Sequence, residues 1–96
     1  MTATSELFDI ASKGTQGMIC DCLSRGAELN AQNATGRTPL HVAAAYGHEF
    51  VVVELICAGS DLLRVDKEGK RAIDCAKTPS IQRKMILYAR TITRPN

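Results

Sequence analysis

The chain has 96 residues, a 45% hydrophobic content and a net charge of +2, which fits one small soluble globular domain with a modest core. No apolar run nears the eighteen or so residues of a membrane span, and the N-terminus lacks the basic-then-apolar layout of a signal peptide. The expected compartment is therefore the cytoplasm or nucleus.

Several positions recur at one interval. Gly36 and Gly69 lie 33 residues apart, and the same offset joins Gly14 to Gly47, Gly26 to Gly59, Leu7 to Leu40, Leu40 to Ile73, Ala11 to Ala44 and Asn33 to Asp66. In chain order, the first unit reads SELFDIASKGTQGMICDCLSRGAELNA. Thr4 or Ser5 is the expected cap of its first helix.

The central stretch GRTPLHVAAAYGHEFVVVELICAGSDL is the most explicit. The Thr38 hydroxyl caps a helix, Pro39 at the first helical position sacrifices no hydrogen bond, and Leu40, Ala43 and Ala44 form an apolar face. Gly47 stops that helix. A second begins near His48 and carries Val51, Val52, Leu55 and Ile56 inward as far as Gly59. Two antiparallel helices result. The last stretch, GKRAIDCAKTPSIQRKMILYA, has Arg71-Ala72 in place of Thr-Pro and Asp74 in place of the histidine, with Thr78-Pro79 as a new cap and start for its second helix.

The stretch TPLHVAAAYGH, together with the 33-residue period, resembles the ankyrin repeat. The resemblance runs from about Ser5 to about Ala89. It implies an all-α solenoid of stacked antiparallel helix pairs with projecting β-hairpin loops, one such hairpin falling in the polar segment from Leu62 to Lys70. The whole chain is then one domain: an N-terminal capping repeat over about 5–35, a central repeat over 36–68, a C-terminal capping repeat over 69–90 and a frayed tail over 91–96.

The resemblance also implies a function, namely binding another protein on the concave side formed by hairpin tips and first helices. Positions matching the family's variable contact positions are Gln32, Ala34, Thr35, Arg37, Ala45 and Tyr46, then Val65, Lys67, Glu68, Lys70 and Thr78. Arg37 and Tyr46 are the preferred anchors, because Arg and Tyr dominate interface energetics. A histidine at the His41 position is, by the same resemblance, structural and bonded to neighbouring backbone.

A second surface follows from the second helix. With Val51, Val52, Leu55 and Ile56 inward, Phe50, Val53 and Cys57 share an outward face where the family mostly places polar residues. One period away, Cys20 and Ile86 come level with Val53, which marks a convex patch suited to weak self-association or to docking on the rest of a longer chain. A regulatory or oligomerising appendage of a larger protein is accordingly the alternative reading.

Other chemistries find little support. His41 and His48 stand in no HExxH, and there is no nucleophile elbow or glycine-rich phosphate loop, so no enzyme and no cofactor are expected. Cys20, Cys22, Cys57 and Cys75 lack CxxC spacing, which argues for plain thiols and against a metal site. From Arg64 onward nine Lys and Arg stand against Asp66, Glu68 and Asp74, while the residues before carry three against seven. The basic set Lys67, Lys70, Arg71, Arg83, Lys84, Arg90 and Arg94 defines a nucleic-acid rival, but no aromatic residues interleave it and no nucleic-acid motif accompanies it.

Overall fold

A computed structural model describes the backbone of residues 2–15 and 17–93 and the side chains as far as Tyr88. Six helices follow one another: α1 (Ala3–Lys13), α2 (Ile19–Ser24), α3 (Pro39–Tyr46), α4 (Glu49–Cys57), α5 (Ala72–Cys75) and α6 (Pro79–Thr93). They form two rows. The first helices α1, α3 and α5 pack side by side, the second helices α2, α4 and α6 do the same, and each pair is joined antiparallel.

Small residues set the spacing within the first row. Ala11, Ala43, Ala44 and Ala72 are buried between α1, α3 and α5, so their backbones approach closely. Larger side chains fill the layer between the rows: Leu7, Ile19, Leu40, Val51, Val52, Leu55, Ile56, Ile81 and Met85 all lie in one core. Burial of each such aliphatic side chain contributes about 1.5–3 kcal/mol. The apolar faces expected of α3 and α4 are therefore the faces that are covered.

Local signals explain the middle unit. Thr38 is extended (φ −88°, ψ 168°), and its hydroxyl accepts the His41 N–H at 3.3 Å. Pro39 follows at the first helical position, and Gly47 closes α3 in the left-handed region at φ 79°. In the third unit Thr78 caps α6 by accepting the Ile81 N–H at 3.3 Å.

The structure departs from the sequence expectation in four places. The cap of α1 is Thr2, whose hydroxyl accepts the Ser5 N–H at 3.1 Å, so the helix starts before Thr4. Thr4 is engaged elsewhere: its hydroxyl accepts the Glu28 N–H at 3.0 Å and ties α1 to the segment leaving α2. The expected β-hairpins are not sheet structure. Among the described residues there is one isolated antiparallel bridge, Val65 with Arg71, around a turn in which the Asp66 N–H donates to Lys70 O at 2.9 Å and the Gly69 N–H to Asp66 O at 3.0 Å. So short a ladder cannot propagate.

Third, α5 is a single turn, because the Thr78-Pro79 start of α6 comes soon after it and proline disfavours helical backbone in the residue before it. Finally, α6 continues to Thr93, so residues 91–93 of the expected tail are helical. Between Pro79 and Pro95 the sequence supplies neither glycine nor proline to stop it. Residues 94–96, Arg94 among them, and the Arg90 side chain lie outside what is described.

One contact between units depends on a missing side chain. His48 donates from Nε2 to Ser12 O at 2.9 Å, and its ring lies over Gly14, where an added Cβ would come 2.5 Å from Nδ1. Gly14 has φ 73°; Gly69, at φ 77°, faces open space. Alanine at either position carries the left-handed cost of about 1–2 kcal/mol. Only Gly14→Ala also displaces the imidazole, so urea unfolding should show it less stable than Gly69→Ala by a further 1–3 kcal/mol, roughly the cost of overpacking; equal losses would contradict the contact.

Candidate functional site

Two turn tips project from the first row, one over residues 33–37 and one over 66–70. Each is organised by an acidic or amide side chain at the same point of the repeat. The Asn33 Oδ1 accepts from the Thr35 N–H (3.0 Å), the Thr35 hydroxyl (2.8 Å) and the Arg37 N–H (3.0 Å). The Asp66 Oδ1 accepts from the Glu68 N–H (2.9 Å) and the Lys70 N–H (3.0 Å), and its Oδ2 lies 3.5 Å from Arg37 Nε. Such side-chain-to-backbone bonds are the usual way Asx residues hold a turn.

The tips are also fastened to each other. Lys67 N–H donates to Thr35 O at 3.1 Å, and the Gln32 amide donates to Gly36 O at 2.8 Å and to Val65 O at 3.0 Å. Gly36, with φ 80°, is buried here: a Cβ on it would lie 2.8 Å from the Lys67 nitrogen, so the close approach requires glycine.

His41 connects this row to α3. Its Nε2 faces the Lys70 carbonyl at 2.8 Å, and its Nδ1 faces the Thr38 N–H at 3.2 Å. A carbonyl can only accept and an amide N–H can only donate, so the ring is neutral with its proton on Nε2. Both nitrogens are used and the side chain is fully buried, which leaves His41 a structural residue.

The sequence-derived contact positions fall as follows. Gln32, Ala34, Thr35, Tyr46, Val65, Lys67, Glu68, Lys70 and Thr78 are exposed, and Arg37 and Ala45 are half-buried. Several of them are engaged within the molecule: Gln32 laces the tips, Arg37 is held against buried Asp66, the Thr35 hydroxyl donates to Asn33, and Lys70 pairs with Glu68. Thr78 is the α6 cap. Tyr46, 56% exposed at the end of α3, keeps most of its ring available.

Sequence reasoning missed Lys77. One period before it stands buried Ala44, so the repeat alone assigns Lys77 to the core. Because α5 ends at Cys75, the chain turns outward instead. The Lys77 N–H then caps α3 by donating to Ala44 O at 2.9 Å, and its alkyl stem lies along Gly47, beside Tyr46. The Thr78-Pro79 pair was the available signal.

Pairing also reduces the basic set. Lys70 meets Glu68 at 3.7 Å, Arg71 meets Asp74 at 3.6 Å and Lys84 meets Glu49 at 3.3 Å. Lys67, Lys77 and Arg83 have no ion pair among the described residues. Also among the described residues, no three His, Cys, Asp or Glu side chains gather as a metal site would need, and no helix is long and apolar enough to cross a membrane.

On the opposite side, Phe50, Cys57, Cys20 and Ile86 are exposed and Val53 is half-buried. Phe50 and Val53 border a groove of about 550 Å3 with Gly17, Glu49, Glu54, Lys84 and Tyr88, whereas Cys20, Cys57 and Ile86 lie outside it. Besides the α4 residues, the groove takes Lys84 and Tyr88 from α6 and Gly17 from the segment between α1 and α2.

Residues 7–83 match the family model for ankyrin repeats, in three copies. The chain belongs to the ankyrin-repeat family. Ankyrin repeats generally mediate protein–protein interaction and are typically non-catalytic. Among similar proteins, human Rabankyrin-5 is 40% identical over 70 residues, covering 71% of this chain and 6% of its own length. The rice potassium channel KOR2 (Oryza sativa subsp. japonica) is 35% identical over 90 residues, 90% of this chain and 12% of the channel. The fission yeast (Schizosaccharomyces pombe) ankyrin repeat-containing protein P1E11.10 is 32% identical over 69 residues, 72% of this chain and 33% of that protein. The ankyrin chain thus spans a third or less of these relatives.

Asp66 makes the turn row sensitive to acid. The Lys70 N–H holds its carboxyl below the usual 3.8; burial opposes this, and the Glu68 N–H and Arg37 add to the lowering. A carboxyl whose folded pKa is depressed stabilises the fold above its unfolded pKa and loses that contribution as pH falls through the folded value. Asp66→Asn keeps the Oδ1 acceptor, as Asn33 does, but has no charge to titrate. Urea unfolding should therefore show the variant less stable at neutral pH, with the gap closing as pH falls below the ordinary aspartate range and through the depressed folded pKa. A gap independent of pH would remove Asp66 from this role.

Proposed function

We propose that this ankyrin-repeat chain is a non-catalytic module of the cytoplasm or nucleus that binds a partner protein along the turn tips and the adjoining end of α3. The observation that carries the reading is the setting of Tyr46: a mostly exposed aromatic ring on a helix whose neighbouring loops are locked by Asn33, Gln32, Asp66 and His41. A rigid surface loses little conformational freedom on binding, and an exposed tyrosine is a favoured anchor. Lys67 and Lys77 add cations that no carboxylate among the described residues pairs with, which suits a partner bearing acidic residues. Val65, Thr35 and Ala45 complete the contact, whereas Gln32 and Arg37 support it from within.

The test is affinity capture from the native cell, followed by titration of the captured protein against variants. Tyr46→Ala should weaken binding by about 2 kcal/mol or more, the size of an interface hot spot. Lys67→Glu should slow association and reduce its salt dependence. Arg37 is a poor probe, because its substitution also strips the counter-ion from Asp66. Full affinity in both variants, with intact helical circular dichroism, would move the site off this surface.

A further inference from the structure

The groove beside α4 belongs to neither the turn row nor the Tyr46 surface. Phe50 and Glu54 stand four residues apart on α4, so they are neighbours on one side of the helix. Val53, Tyr88 of α6 and Gly17 line the same groove, whose volume is about 550 Å3. Phe50 is 69% exposed and lies outside the core, so folding does not account for an aromatic ring at this position.

Charge in the groove is unbalanced. Lys84, the cation of the lining, is already paired: it meets Glu49 at 3.3 Å, and Glu49 also accepts the Ser80 hydroxyl at 3.2 Å. Glu54 has no such counter-charge. Its half-buried carboxylate accepts the Gly17 N–H at 3.2 and 3.3 Å, and no cation pairs with it among the described residues. A backbone amide carries no net charge, so one full negative charge remains in a groove lined by two aromatic rings and Val53.

That excess selects what can cover the groove. An apolar segment laid over it would take the Glu54 carboxylate out of water without a counter-charge, which is strongly unfavourable. An acidic segment would be repelled, and a second copy presenting the same groove would bring a lysine already committed to its own Glu49. A cation is required. A guanidinium fits best, being planar, more weakly hydrated than an ammonium, able to meet a carboxylate through two parallel N–H bonds and able to lie on an aromatic face. We propose that the groove takes an arginine of a partner protein, its guanidinium paired with the Glu54 carboxylate and lying against the Phe50 ring, with an apolar side chain next to that arginine covering Val53 and Tyr88. The segment bound here is thus basic and apolar, opposite in charge to the acidic one suited to the Tyr46 surface.

A random peptide library panned against the immobilised full chain, with reductant to keep Cys20 and Cys57 from cross-linking, tests this directly. Enriched peptides should carry arginine beside an apolar residue. The strongest of them, synthesised with a fluorophore and titrated by anisotropy, should bind Glu54→Gln at least about tenfold more weakly, the loss expected of a hydrogen bond to a charged group. Glutamine keeps an acceptor for the Gly17 N–H, so the melting temperature should hold. Phe50→Ala should weaken the same peptide, whereas Tyr46→Ala and Lys67→Glu should not, which separates this site from the turn-row surface. Should a variant of the chain melt early, the peptide decides alone: citrulline in place of its arginine keeps the shape, loses the charge and should cost at least as much as Glu54→Gln. Enrichment of acidic peptides alone, no enrichment, or a peptide indifferent to Glu54→Gln or to citrulline would each overturn the proposal. So would sedimentation showing a dimer of this chain that Phe50→Ala dissolves, because a second copy then covers the groove.

Discussion

The hydrogen bond from His41 Nε2 to the Lys70 carbonyl joins successive units of this fold at a fixed spacing. Its donor is rooted in α3 by the Thr38 amide and its acceptor sits at the base of the next turn, so it couples helix start, turn and neighbouring unit. The neutral ring is suited to burial because both nitrogens find partners and no charge enters the core. With this bond in place, the Lys70 N–H is presented to Asp66, and Asp66 in turn receives Arg37 from the preceding tip. Each turn is therefore held by its own Asx side chain and tied to its neighbours by Gln32, Arg37 and His41.

That mode of construction separates residues that hold the surface from residues that offer it. Gln32, Asn33, Asp66 and His41 spend their polar atoms on backbone groups nearby, and Gly36 permits the approach that brings two tips together. The exposed side chains of Tyr46, Lys67, Lys77 and Val65 take no part in this lacing. A surface with its backbone groups satisfied from within does not need to reorganise when a ligand arrives.

The third unit shows how far the repeat can drift while the stack survives. Asp74 takes the place of the histidine and performs half of its task, accepting the Arg71 N–H at 3.0 Å; a carboxylate there has no proton to give to a following carbonyl. The shortened α5 then lets Lys77 leave the core position that the period assigns it and bond to Ala44 instead.

Much of this was written in local sequence. Thr38-Pro39 with Gly47, and the pairing of Asn33 with Asp66 at one period, fix helix starts, helix stops and turns through contacts a few residues apart, which is why the stacked-pair fold and the buried faces of α3 and α4 were legible. The tertiary structure alone decided the bonds that span a whole period. Gln32 reaches Val65, Glu54 reaches Gly17 and Lys84 reaches Glu49 across 33 to 37 residues, and each changes what its residue can do on the surface. Periodicity predicts which side of a helix a residue occupies. It carries no information on whether a neighbouring unit has already claimed the polar atoms of that residue, because that depends on the distance between units, which packing of Ala11, Ala43, Ala44 and Ala72 determines.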